Sequence, residues 1–109
     1  MPKKATWTFL TNHAHVMACL LDNPNMLMRR IADRVGITER AVQRIINELT
    51  EAGYVTIIKE GRQNTYVPNI ALPLRHPIES HKSVGELFSF LVPNLPVTPI
   101  APKPDAERG

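Results

Sequence analysis

The spacing of apolar residues changes several times along the chain. From Leu10 to Asp22 the apolar positions Val16, Met17, Leu20 and Leu21 recur at helical spacing. They predict one amphipathic helix, with Thr11 or Asn12 as its cap. Asn23-Pro24-Asn25 ends it, since proline cannot continue a helix and restricts the residue before it. The next stretch, Met26 to Met28, is too short to classify and admits a one-bridge strand. Two further helical patterns lie within MRRIADRVGITERAVQRIIN, from Met28 to Asn47, and meet at Gly36. A tight turn between them needs positive φ, which costs an ordinary residue roughly 1–2 kcal/mol and glycine almost nothing. Ile31, Ala32 and Val35 give the first pattern its inner side, and Ile37 fits the angle between the two. Thr38 is the expected N-cap of the second, which should run from about Glu39 to Glu51 and stop at Ala52-Gly53.

Beyond Gly53 the pattern turns strand-like. Tyr54-Val55-Thr56-Ile57-Ile58-Lys59 is β-branched and aromatic, Gly61-Arg62-Gln63-Asn64 is turn-like, and Thr65-Tyr66-Val67 is strand-like again until Pro68. This predicts a β-hairpin with a basic tip. Adjacent Ile57 and Ile58 leave its buried face open. Pro73 to Pro77 then reads as an extended connector. Ser83-Val84-Gly85-Glu86 has the form of a capping box, opening a short helix with Leu87, Phe88 and Leu91 as its apolar stripe. Pro93, Pro96, Pro99, Pro102 and Pro104 follow, a spacing that favours an extended tail with no core to join.

The chemistry concentrates on the second helix of the glycine-linked pair. At about 100° per residue, Thr38, Val42, Ile45 and Leu49 gather on one side of it. Arg40, Gln43, Arg44 and Asn47 gather on the other. Arginine, glutamine and asparagine carry the paired donors and acceptors that match base edges in the major groove. In a helix-turn-helix, the helix after the turn is the one that enters that groove. These four residues are therefore candidate base contacts. Thr38 at the helix start and Lys59, Arg62, Gln63 and Asn64 around the hairpin tip are candidates for the DNA backbone or minor groove.

The run RIADRVGITERAVQRIINELTEAGYV, followed by KEGRQNTYV, resembles small prokaryotic transcription regulators of the MarR and ArsR type. The likeness covers roughly Leu10 to Val67. Its most specific parts are the turn glycine, the Glu-Ala-Gly-Tyr boundary and the Gly-Arg at the hairpin tip. It implies a mainly α fold with a small β-hairpin wing (α+β), the winged helix-turn-helix. It also implies a homodimer on double-stranded DNA. MarR-like chains are usually longer, with extra helices that build the dimer and a ligand pocket. Metal-sensing ArsR-like chains carry paired cysteines or a His/Asp set that is missing here.

Composition narrows the alternatives. The 109 residues suit one small domain, and the formal net charge is +3. Between Met28 and Val67 there are seven cations (Arg29, Arg30, Arg34, Arg40, Arg44, Lys59, Arg62) against five anions (Asp33, Glu39, Glu48, Glu51, Glu60). That small excess does not imply strong non-specific DNA binding by a monomer. One cysteine, Cys19, rules out an intrachain disulfide and suits a reducing cytoplasm; it is expected as a small core residue, with a redox-sensing thiol as the other reading. No apolar run approaches a membrane span, and the N-terminal stretch does not read as a secretory signal.

His13 and His15 diverge by roughly 200° on a helix, and His76 and His81 lack a partner at ligand spacing. No metal or other cofactor is expected, and a small-molecule effector is left unassigned. With no phosphate loop, nucleophile motif or carboxylate pair, no enzyme is expected either. The rival reading is a winged-helix protein–protein interaction module whose polar helix face is plain surface. The expected organisation is a flexible arm over 1–9, the winged helix-turn-helix over 10–70, a connector with a short helix over 71–92, and a disordered, dispensable tail over 93–109. Val16, Leu20, Leu87, Phe88 and Leu91, on the two terminal helices, are the candidate dimer contacts, the last three packing on their own domain or on a second subunit.

Overall fold

The computed structural model describes residues 6–92. Expectations for the tail, and for the first five residues of the arm, lie outside the described residues. The elements are α1 (Asn12–Asp22), α2 (Met28–Val35), α3 (Glu39–Glu51), β1 (Val55–Glu60), β2 (Gln63–Pro68) and α4 (Val84–Phe88).

Each helix boundary has a local cause. The Thr11 side chain caps α1, accepting from the Ala14 amide. Leu10 therefore stands just outside the helix. At the other end the Asn23 carboxamide accepts from the Asn25 amide at 3.0 Å and fixes the turn around Pro24. The α2 helix closes at Gly36, with φ 89° and ψ 33°, where the Gly36 and Ile37 amides both donate to the Ala32 carbonyl. Thr38 caps α3 by accepting from the Ala41 amide at 3.0 Å. That helix ends in a paired closure: Tyr54 N–H donates to Leu49 and Gly53 N–H to Thr50, with Gly53 at φ 86°. These two bonds are those of a Schellman motif, which needs a left-handed residue after the cap.

The hairpin is tighter than its sequence suggests. Its strands pair antiparallel from Val55↔Pro68 to Glu60↔Gln63, leaving a two-residue loop of Gly61 and Arg62. Gln63 and Asn64 therefore belong to β2 rather than to the turn. The pairing also settles the buried face. Val55 and Tyr66 are buried and Ile57 is half-buried, whereas Ile58 stays 45% exposed. No strand forms at Met26 to Met28. Instead the Pro24 carbonyl accepts from Tyr66 N–H at 3.0 Å, and Thr65 Oγ1 donates to Asn25 at 2.8 Å. The loop after α1 is thereby held on the edge of the wing, and Met26 is buried beside it.

One core joins all of this. Leu20, Ile31, Ile45, Ile46, Val16 and Val42 are fully buried, and no described polar or charged side chain is. Ile46 widens the inner face of α3 beyond the stripe of Val42, Ile45 and Leu49. The segment 71–92 shares this core, because Val84, Phe88 and Val92 belong to the same cluster. Backbone bonds bind it as well: Gly85 N–H to Ile70, Val84 N–H to Leu72 and Leu74 N–H to Lys82. A Cβ on Gly85 would stand 3.2 Å from the Ile70 carbonyl oxygen, so a side chain here would push that carbonyl back by a few tenths of an ångström. The α4 helix is shorter than the apolar stripe implies, ending at Phe88 with Leu91 beyond it.

These placements revise the terminal contact set. Val16, Leu20 and Phe88 are buried within their own subunit, while Leu87 is half-buried and Leu91 exposed. Phe88→Ala should therefore cost about 3–5 kcal/mol of unfolding free energy through the cavity it leaves. Urea denaturation measures this, and an unchanged midpoint would place Phe88 outside the core.

The capping box of α4 adds a pH-dependent contribution. Ser83 N–H donates to the Glu86 carboxylate at 2.8 Å, and Glu86 N–H to the Ser83 hydroxyl at 3.1 Å. The first bond is the main cause holding the Glu86 carboxyl below its ordinary 4.5. A depressed folded-state value means the stabilisation is complete above the unfolded value and is lost as pH falls through the folded one. Melting temperatures of the parent and Glu86→Gln should differ at neutral pH and converge as pH drops from about 5 to 3. A constant gap over that range would count against the box.

Candidate nucleic-acid interface

The turn at Gly36 and the cap at Thr38 set the direction in which α3 leaves α2. Because Val42, Ile45 and Ile46 are buried, the opposite side of α3 faces out. Arg40, Gln43, Arg44 and Asn47 are all exposed there. The structure thus brings the four residues expected to read bases onto one open face.

They are not equally free. Gln43 Nε2 donates to Asn47 Oδ1 at 3.0 Å, one turn further along. Arg44 Nη1 lies 3.5 Å from Glu48 Oε2, and the other oxygen of that carboxylate is 2.6 Å from His13 Nε2 on α1. The His13 hydrogen bond is the first cause of the lowered Glu48 pKa, and the Arg44 charge adds to it. Arg40 has no hydrogen-bond or ion-pair partner among the described residues and stands closest to the start of α3. Thr38 is exposed, with its hydroxyl oxygen committed to the cap.

At the wing, Arg62 occupies the tip and is exposed, as are Lys59 and Gln63. Asn64 is half-buried, and its amide donates to the Tyr66 hydroxyl at 3.3 Å. Of the wing candidates it is the one tied inward. Glu60 pairs with Gln63 immediately below the tip, so an acid flanks the wing arginine.

Two features escape the sequence pattern. Arg29 and Arg30 are exposed in the first turn of α2, which has no acidic residue and no side-chain cap. Free amides at a helix start favour an anion, and two guanidiniums beside them add to that preference. Their signal is the doublet just before the first apolar position of α2. The second feature is the His13–Glu48 contact, which joins residues 35 positions apart and leaves no local mark.

Cys19 is buried, and burial is the main cause raising its thiol pKa; it packs as a small core residue. No group of three metal-ligating side chains occurs among the described residues. No described helix is long and apolar enough to cross a membrane.

A family model described as winged helix-turn-helix DNA-binding matches residues 11–56. No match was found among curated proteins. Among solved structures the chain is similar to the zinc-dependent MarR family transcriptional regulator AdcR in its Zn(II)-bound state. Identity is 19% and the TM-score 0.43, over 63% of this chain and 49% of that one. This chain therefore spans about half the length of that protein. With α2 and α3 set around Gly36 and followed by the β1–β2 wing, the match over residues 11–56 identifies this unit as a winged helix-turn-helix of the DNA-binding kind.

Proposed function

We propose that this chain is a transcriptional regulator that binds double-stranded DNA sequence-specifically as a homodimer. The observation that carries this reading is the outward face of α3, where Arg40, Gln43, Arg44 and Asn47 are exposed together. In this reading α3 enters the major groove with those side chains toward base edges. Arg40, the least engaged of them, takes a guanine. The wing places Arg62, with Lys59 and Gln63, on the backbone or in the minor groove. Thr38 and the Arg29–Arg30 doublet meet phosphate.

The two kinds of arginine give different signatures. The target is the duplex that the parent protein selects from a random pool. Arg40→Ala should cost about 1–3 kcal/mol on that duplex and little on scrambled DNA. Arg62→Ala should weaken both and reduce the salt dependence by about one ion per subunit. Anisotropy titrations at several salt concentrations separate them. Equal losses on both duplexes for Arg40→Ala would make the α3 face a backbone clamp. Failure to select any duplex would leave the protein-interaction reading in its place.

Dimerisation rests on apolar surface at the two ends of the described chain. Phe90 is 90% exposed and Leu91 46%, and Trp7 and Phe9 are exposed too, stacked edge-to-face at 5.0 Å. A two-fold contact through this surface would cover it and set the two α3 helices one DNA turn, about 34–36 Å, apart. Leu91→Asp, whose site is accessible in the single subunit, should shift the sedimenting species from dimer toward monomer without unfolding it. A parent protein that sediments as a monomer on its own and on DNA rules the dimer out.

A further inference from the structure

The carboxylate of Glu48 is shared by two basic side chains from different elements. One oxygen meets His13 Nε2 of α1 at 2.6 Å, and the other meets Arg44 Nη1 of α3 at 3.5 Å. All three side chains are about half exposed, at 42% for His13, 48% for Glu48 and 60% for Arg44. Arg44 is one of the proposed base contacts, whereas His13 lies on a helix outside the glycine-linked pair. We infer that His13 is a positioning residue that sets, through Glu48, how available Arg44 is to DNA, and that protonation of His13 strengthens DNA binding. This inference rests on the DNA-binding reading.

The charge arithmetic gives the direction. At 2.6 Å from a carboxylate oxygen, Nε2 carries a proton in either charge state of the ring. With His13 neutral, Arg44 is the one full positive charge on the Glu48 carboxylate, and the pair offers DNA no net attraction. When Nδ1 gains a proton, the His13 contact becomes a charge-assisted bond. The carboxylate is then balanced from α1, and its longer, weaker contact to Arg44 yields to a phosphate or base edge. The face gains about one unit of positive charge per subunit. Glu48 itself stays ionised throughout, because the same two neighbours hold its carboxyl below the ordinary 4.5.

Other charged groups face this site. Glu51 of α3, Tyr54, and Arg75 and Glu79 of the connector line the same groove of about 890 Å³ as His13 and Glu48. Carboxylates, guanidiniums and phenols keep a constant charge between about pH 5.5 and 8, where imidazoles change theirs. Among the described residues lining that groove, His13 is the one imidazole. His15, on the opposite side of α1, bonds Asn12 instead, at 3.1 Å.

The test compares affinities for the selected duplex between pH 8 and 5.5 in the parent, His13→Gln, Glu48→Gln, and both changes combined with Arg44→Ala. Other histidines affect every variant alike, so the difference between variants is the readout. The parent should gain about two- to fivefold more affinity on acidification than His13→Gln, the scale of an exposed ion pair. Glu48→Gln should bind more tightly than the parent at pH 8, with a pH response no larger than that of His13→Gln. In the Arg44→Ala background neither change should matter further. Equal pH responses in the parent and His13→Gln overturn the inference, as does a Glu48→Gln gain that persists without Arg44. A parent that binds no duplex at any pH defeats the DNA reading instead. The positioning is then decided by NMR: Arg44 side-chain resonances that follow the His13 titration in the parent and not in Glu48→Gln support it, and indifferent ones overturn it.

Discussion

The outward face of α3 depends on the bend at Gly36. Its φ of 89° turns the backbone through a region that an ordinary side chain enters only at a cost. The turn lets Ala32 and Ile31 of α2 share one core with Val42, Ile45 and Ile46 of α3. Once three adjacent positions of α3 are inside, the rotation of that helix about its axis is fixed. Arg40, Gln43, Arg44 and Asn47 are then outside without any interaction of their own holding them there. The polar face is a by-product of core packing, and the backbone beneath it is held by the core.

That hold draws on residues beyond the three helices. The Tyr54 hydroxyl donates to the Pro73 carbonyl, and Val84, Phe88 and Val92 fill the core from the C-terminal side. A unit of this size has a small core, and small cores leave little stability in reserve. The connector and α4 add three buried side chains to it, which makes them part of the domain rather than an appendage. The exposed residues around them, Phe90 and Leu91, are what the segment has left for a partner.

What was legible in the sequence was whatever neighbouring residues decide. Thr11, Thr38 and Ser83 as caps, Gly36 as the left-handed turn and Gly53 as the helix stop depend on bonds spanning a few residues. All of them occur at the expected positions. The polar face of α3 was legible for the same reason, since helical periodicity alone places it. What stayed hidden needed distant partners. The buried face of the hairpin was decided by Tyr66 meeting the loop after α1, some forty residues earlier. Whether Phe88 packs on its own domain or on a second subunit was decided by the chain folding back on Ile70 and Leu72. The expected inventory of the site also omitted Glu48 and His13, because their link crosses from α1 to α3.

Under the DNA-binding proposal, the charges on α3 say what kind of reader it would be. Three carboxylates (Glu39, Glu48, Glu51) stand against two guanidiniums (Arg40, Arg44) on this helix, so it has no general attraction for a polyanion. Two of its reading side chains already satisfy each other, Gln43 with Asn47 at 3.0 Å, and Arg44 is held by Glu48 at 3.5 Å. Entering a groove means exchanging these bonds. A matching base edge replaces them in full, whereas a wrong one leaves donors unpaired in a desolvated interface, at about 1–3 kcal/mol each. On that proposal, a helix arranged this way would give up affinity for DNA at large and keep its energy for discrimination. Non-specific attraction would then fall to the cations set apart from α3, Arg29 and Arg30 at the start of α2 and Arg62 at the wing tip. Their separation from the reading face would let affinity and specificity vary independently.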